Sequence, residues 1–380
     1  MRLPAQAAPE IGPLRAYSLG LVTVTERTPL SAGGVDLQHR LRMMLEPRFG
    51  ALDAEVAWES DLSVRNRSGP EGTPFEAAGR TGDWLGVSWT PVQGSHGRWV
   101  HRFDRLDVGL SGGSWELRSG RQAISWATTL LLTPADPFAP FDPSDPYREY
   151  RPGVDAVRFS FYPGPFSSAE MVVRPASTPD GTTITALGRA RFSAGAWDLA
   201  TWAGVLHDRA AGAASAAVSA GGWVVRGEMS VRSAERRGVV ARVAAGADRR
   251  VDFFGRDLHV VAELQHDGLG ASSAGELATV AASPPARRGE LQVLGRDVGA
   301  LQLSWQLHPL VTVAILELVD LRDGSFVSVP SAAWSVSSST ELRAGMFMPA
   351  GPRPSSGSGG PASDFGSVPW TAYLSLAAFL

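Results

Sequence analysis

The feature that most limits what this chain can fold into is an apolar/polar alternation with a period of two. It recurs from end to end in segments of about ten residues. Leu52, Ala54, Val56 and Trp58 alternate with Asp53, Glu55 and Glu59; Trp223, Val225, Met229 and Val231 alternate with Arg226, Glu228, Ser230 and Arg232. A strand sends successive side chains to opposite faces, so each segment carries one apolar and one charged face. Two solutions satisfy that pattern: a soluble, half-buried sheet, or a wall with lipid on one side and water on the other.

Composition narrows the function classes. The 380 residues carry a net charge of -3, which argues against a nucleic-acid partner, since that affinity rests on clustered positive charge. There is no Cys, hence no disulfide frame, thiolate metal site or cysteine nucleophile. No apolar run is long enough for a spanning helix. A mean hydropathy of -0.04 is compatible with a membrane barrel, whose polar inner face dilutes its lipid face. Residues 1–13 lack the basic-then-apolar build of a signal peptide, so an envelope protein of this sequence is expected to have its signal removed or encoded further upstream.

Strand-like segments are expected at 14–25, 35–46, 51–62, 84–89, around 106–110 and 115–118, and in a hairpin over 155–174. In that hairpin Val157, Phe159 and Phe161 should face Ala169, Met171 and Val173 across the pair, with Arg158 and Glu170 sharing the other side. Further strands are expected at 184–192, 196–206, 213–219, 222–232, 238–246, 251–265, 290–307, 310–320, 325–336, 339–348 and 368–380. The expected fold is all-β: a transmembrane antiparallel up-and-down β-barrel of roughly 16–18 strands, one domain over residues 1–380. Trp58, Trp115, Trp197, Trp223, Trp305, Trp334 and Trp370 near strand ends fit aromatic girdles at two lipid–water interfaces. A β-sandwich core also packs Trp, and a propeller should show a blade repeat, which is absent.

Three runs resemble a known family. Gly120-Arg121-Gln122-Ala123-Ile124-Ser125-Trp126, Thr133-Pro134-Ala135-Asp136-Pro137-Phe138 and Arg151-Pro152-Gly153-Val154-Asp155-Ala156 are similar to the GRQ-x-I-x-W, P-x-D-x-F and RPGVDA runs of Gram-negative outer-membrane porin-like barrels, of the DUF1302 and alginate-export-like types. His308-Pro309-Leu310, Asp323-Gly324-Ser325 and Asp364-Phe365-Gly366 are similar to their C-terminal hairpins. Two departures stand out: Ala127 follows Trp126 where the family usually has Gly, and Leu380 rather than Phe379 is last. The resemblance implies an outer-membrane location, with lipid, lipopolysaccharide and the barrel-assembly machinery as partners. It also implies a polysaccharide-export channel working with a separate periplasmic export protein. A passive uptake porin for small solutes is the alternative, and a closed structural or adhesion barrel a third.

Residues 127–153, rich in Pro, cannot form a spanning strand. They are expected to fold inward as a constriction or plug, with Asp136, Asp142, Asp145, Arg148 and Arg151 filtering by charge, or else to form a stiff outside loop. The spacing of the three Asp does not match a calcium loop, and no metal or cofactor is expected. Parity places Arg40, Arg42, Arg105, Arg118, Arg158, Glu170, Arg174, Arg226, Glu228, Arg232 and Arg343 on the lumen path. They would either attract anionic solutes or pair with acids across neighbouring strands. No recognisable Ser/His/acid motif is present; His259 beside Glu263 reads as a lumen histidine, and no catalysis is expected. Short turns would be periplasmic, at Ser337–Ser339 and His308-Pro309, and segment 349–367 a long external loop.

Overall fold

The computed structural model describes residues 10–66, 82–138, 150–178, 180–234, 238–355 and 360–380. Eighteen long strands run antiparallel to their sequence neighbours. They are β1 (Arg15–Thr25), β2 (Gly34–Leu45), β3 (Leu52–Arg65), β4 (Gly97–Gly112), β5 (Trp115–Gln122) and β6 (Val154–Gly164). The wall continues with β7 (Ser167–Thr178), β8 (Gly181–Ala194), β9 (Trp197–Leu206), β10 (Arg209–Ala220), β11 (Trp223–Ala234) and β12 (Gly238–Phe253). It ends with β13 (Arg256–Asp267), β14 (Asp297–His308), β15 (Val311–Asp320), β16 (Phe326–Ser337), β17 (Thr340–Ala350) and β18 (Thr371–Phe379). β18 then pairs with β1, from Tyr17 opposite Phe379 to Thr25 opposite Thr371, and closes the barrel. Leu380 completes the seam by exchanging backbone hydrogen bonds with Ala16. Closure satisfies every ladder edge, the condition a sheet must meet to stand in lipid.

The alternation decides which face is which. In β11, Val225, Met229 and Val231 are 47%, 47% and 40% exposed, while Glu228 and Arg232 are sealed inside. Val22, Leu37, Val108, Phe159, Met171, Leu264, Leu301 and Leu374 belong to the same outward apolar band. A continuous apolar outer surface of this kind is stable against hydrocarbon and a liability in water. One bulge modifies the parity. The β3–β4 register shifts between Ala57 and Trp58, so Asp104 is the extra residue and both it and Arg105 are buried inside.

The strands at one end of the barrel are joined by short turns, while the long connections, described over 82–96, 123–138, 268–296 and 360–370, lie at the other end beside the short turns 207–208 and 321–325. Trp115, Trp197, Trp223 and Trp334, with Phe161, Phe192 and Phe253, ring the short-turn end on the outside. Trp58 is not part of a girdle: it lies within β3 and stacks on His101, ring centroids 5.3 Å apart.

The structure corrects several strand expectations. The 251–265 segment is not one strand but the end of β12, a turn at Phe254-Gly255, and β13. The 290–307 segment becomes a strand only from Asp297, because 268–296 is a loop carrying helices α1 (Ala274–Ala281) and α2 (Pro284–Arg287). The 84–89 strand falls later, at Ser88–Gln93, paired to the start of β4. In the β6–β7 hairpin the expected register is observed: Phe161, Phe159 and Val157 face Ala169, Met171 and Val173, and Arg158 Nε lies 3.1 Å from Glu170.

The inner face is not polar throughout. Tyr17, Leu19 and Leu21 of β1, Leu316 and Leu318 of β15, Val327 and Val329 of β16 and Phe347 of β17 point inward and pack with Leu131, Leu132, Val293 and Phe365 from the long loops. A second inner core joins Ile124, Trp126 and Phe138 to Val172, Leu187, Trp202 and Leu206. Residues 124–138, with Val293 and Phe365, are thus held inside the barrel by apolar burial on two opposite walls.

Candidate channel constriction

The segment after β5 turns into the lumen at once, and its root is where the three sequence runs converge. Gly120 has φ +123°, and a Cβ there would sit 2.2 Å from the Leu106 carbonyl oxygen. Only glycine allows that approach. Arg121 next to it makes a two-pronged ion pair with Asp155, Nε to Oδ1 at 2.7 Å and Nη2 to Oδ2 at 2.8 Å. The Gln122 side-chain amide donates to the Ala156 carbonyl at 3.0 Å. A Cβ at Gly153 would be 2.1 Å from the Asp104 carbonyl, while the Gly153 N–H donates to the Asp104 carboxylate. The first and third runs therefore clasp the two ends of the inward loop.

The middle run fills the loop itself. Trp126 stands edge-on to Phe138 at 4.8 Å, and the Trp202 indole N–H of β9 donates to the Ala135 carbonyl at 3.0 Å. Asp136 is buried and accepts from the Ser125 hydroxyl at 2.8 Å and from Arg151 at 3.2 Å. Burial pushes its carboxyl above the usual range, opposed by the Ser125 hydrogen bond and the Arg151 charge. Asp142, Asp145 and Arg148, expected with it in the filter, lie outside the described residues.

Two wall carboxylates hold the loop across the lumen. Glu228 of β11 accepts from the backbone N–H groups of Thr128 (2.8 Å), Thr129 (3.2 Å) and Ala135 (3.0 Å). Glu263 of β13 accepts from those of Leu130 (2.7 Å), Leu131 (2.9 Å) and Leu132 (2.8 Å). The carboxamide of Gln292 accepts from Thr133 N–H and donates to the Leu131 carbonyl. A buried loop must satisfy its amides somewhere; here two glutamate side chains take six of them. Glu228 was expected on the solute path; its atoms are occupied by the loop instead. Glu263 was expected beside His259, but His259 Nε2 lies 3.1 Å from Asp248, which also pairs with Arg226.

The predicted lumen arginines divide by exposure. Arg40, Arg158, Arg226 and Arg343 keep 29%, 25%, 19% and 28% of their side-chain surface, each beside an acid: Asp61, Glu170, Asp248 and Glu341 respectively. Arg118, at 18%, joins Asp53, Asp107 and Glu116 across β3, β4 and β5. Arg42, Arg105, Arg174 and Arg232 face inward but are sealed, so they support the wall and not a water-filled path. Arg42 bridges Glu59 and Asp104 and lies over the Tyr150 ring at 4.4 Å. Arg105 pairs with Asp104 and donates to the Arg151 carbonyl at 2.7 Å. Arg232 pairs with Glu290, and Arg174 donates to the Phe138 carbonyl. Sequence parity found the inward side but carried no signal for which side chains the loops would cover.

No family model and no curated protein matches the sequence. Among solved structures, the chain is similar to OccAB1 of Acinetobacter baumannii, with a TM-score of 0.60 at 8% identity over 97% of this chain and 96% of that one. It is similar to a BenF-like porin of Pseudomonas fluorescens Pf-5 and to OpdK of Pseudomonas aeruginosa in its structure with vanillate. Both give a TM-score of 0.56 at 11% identity, over 97% of this chain and 98% of the other. At these identities the likeness is one of fold: a closed, 18-stranded porin barrel.

Proposed function

We propose that this chain is an outer-membrane channel admitting small solutes, its bore set by residues 123–138. The observation that carries this reading is the inward loop fixed by Glu228 and Glu263. A loop bonded through six amides and packed on two apolar walls leaves a narrow, permanent passage, suited to small molecules and not to a moving polymer. The partly exposed arginines, each beside an acid, offer solutes a mixed-charge wall. The fold shared with porins, one of them solved with vanillate, supports the same size class. Export of a polysaccharide has less support, because apolar side chains of β1 and β15–β17 fill one side of the interior. The short-turn end is then periplasmic and the long-loop end external.

Liposome swelling with purified protein tests the proposal. Amino acids and monosaccharides should enter at rates that fall steeply with size, and tetrasaccharides should be excluded. Equal rates for mono- and tetrasaccharides, or no permeation at all, would sink it.

A further inference from the structure

Behind the constriction, on the side away from β1, the loop residues Pro137 and Phe138 close a small cavity against β7, β9, β11 and β12 and the external loop 268–296. Arg174, Arg232, Arg242 and Arg288 line it, with His207, Asp136 and Glu290. Glu290 pairs with both Arg232 and Arg288, and Arg242 pairs with Asp267. Arg174 is different. Its single hydrogen bond goes to the Phe138 carbonyl at 3.2 Å, and among the described residues no carboxylate lies within ion-pair distance. Its Nε is sealed from solvent without a partner, and so is the Nε of Arg232. Both residues are 5% exposed. Asp155 and Asp83 act on Arg174 only from beyond ion-pair distance. A buried guanidinium without a close partner is costly, and an orphaned buried donor calls for an unseen acceptor.

His207 adds no further positive charge to the cavity. It sits in the β9–β10 turn, where burial and the charges of Arg288, Arg174 and Arg232 push its pKa down to about 3. The imidazole is neutral, with Nδ1 2.8 Å from the Thr183 hydroxyl. The cavity offers about 20 Å³ to the centre of a water-sized sphere, where one water needs about 10–15 Å³. That is room for a monatomic ion and too little for a phosphate ester or a sugar acid.

We propose that this cavity binds one small monovalent anion of halide size, which supplies Arg174 with a close counter-charge and accepts from the orphaned donors of Arg174 and Arg232. The ion is structural. It lies behind the loop and off the solute path, and through Arg174 and the Phe138 carbonyl it ties the far end of the constriction to the wall.

The test uses wild-type protein in detergent, crystallised with sodium bromide in place of chloride, with anomalous data at the bromine edge. A bromide peak in this cavity is the expected result, together with its loss in Arg174→Met. The absence of a peak in the wild type, with water or nothing between the arginines, overturns the proposal, and so does a peak that persists in Arg174→Met. If that variant does not fold, thermal unfolding of the wild type decides. The midpoint should rise saturably with bromide relative to gluconate at equal ionic strength; superimposable curves in the two salts would overturn the proposal.

Discussion

Removing the two carboxylates that hold the loop should unlock the constriction. In Glu263→Ala, the N–H groups of Leu130, Leu131 and Leu132 lose their acceptor at once. Hydrogen bonds to a charged acceptor contribute about 1.5–3 kcal/mol each. Three of them, discounted because they share one side chain and water can replace part of the loss, leave about 4 kcal/mol. At about 1.4 kcal/mol per tenfold, that is nearly a thousandfold shift toward the open loop. A loop closed 99% of the time in the wild type would then be open for most of it. The apolar contacts of Leu131 and Leu132 oppose the shift, so Glu228→Ala, which frees Thr128, Thr129 and Ala135, is combined with it. Single-channel recording in planar bilayers reads the outcome. The double variant should show a larger, noisier conductance than the wild type, with Glu263→Gln between them because its carboxamide still presents one acceptor oxygen. A double variant with wild-type conductance and noise would refute the assignment of these residues as the loop's anchors.

Three further outcomes are expected. Gly120→Ala places a Cβ 2.2 Å from the Leu106 carbonyl at φ +123°; the backbone strain alone costs about 1–3 kcal/mol, and the heat-stable folded band on unboiled gels should weaken or vanish. Met229→Arg puts a charge on the outward face of β11 and should cost about 2–4 kcal/mol in refolding titrations into phospholipid vesicles, whereas Ala217→Ser on the inner face of β10 should change little. Asp364, in the 351–370 loop, is raised to about 7 by burial, with the Asp320 and Asp323 charges adding to the effect against the Gly295 N–H hydrogen bond. Its protonated form is favoured in the folded state, so its stabilisation is complete below about pH 4 and is lost as pH rises through 7. The thermal midpoint should therefore fall between pH 5 and 8, with a slope of at most about 1.4 kcal/mol per pH unit, and Asp364→Asn should flatten that fall; an unchanged profile in the variant would contradict the reading.

Much of the wall was legible in the sequence because lipid and a charged interior enforce a strict alternation, as at Trp223–Arg232 and across the β6–β7 hairpin. The alternation failed where the inner face turned apolar. Tyr17, Leu19, Leu21, Leu316 and Leu318 pack on loops whose position only the fold reveals. The turn at Phe254-Gly255 went unseen because Phe254 adopts φ +53°, a conformation rare for a bulky side chain. Helices α1 and α2 are short and lie within a loop, too brief for a periodic signal. The Pro-rich stretch announced a non-strand segment, but nothing in the spacing of Glu228 and Glu263 marked them as its anchors. They lie 35 residues apart on different strands and meet the loop only after the barrel closes.

Polymer exclusion of single-channel current tests the central claim most directly. The wild type should show a steady conductance in which only the smallest polyethylene glycols enter the pore and reduce the current. A silent barrel, or one whose current is reduced equally by glycols of several kilodaltons, would contradict a lumen narrowed by the loop that Glu228 and Glu263 hold.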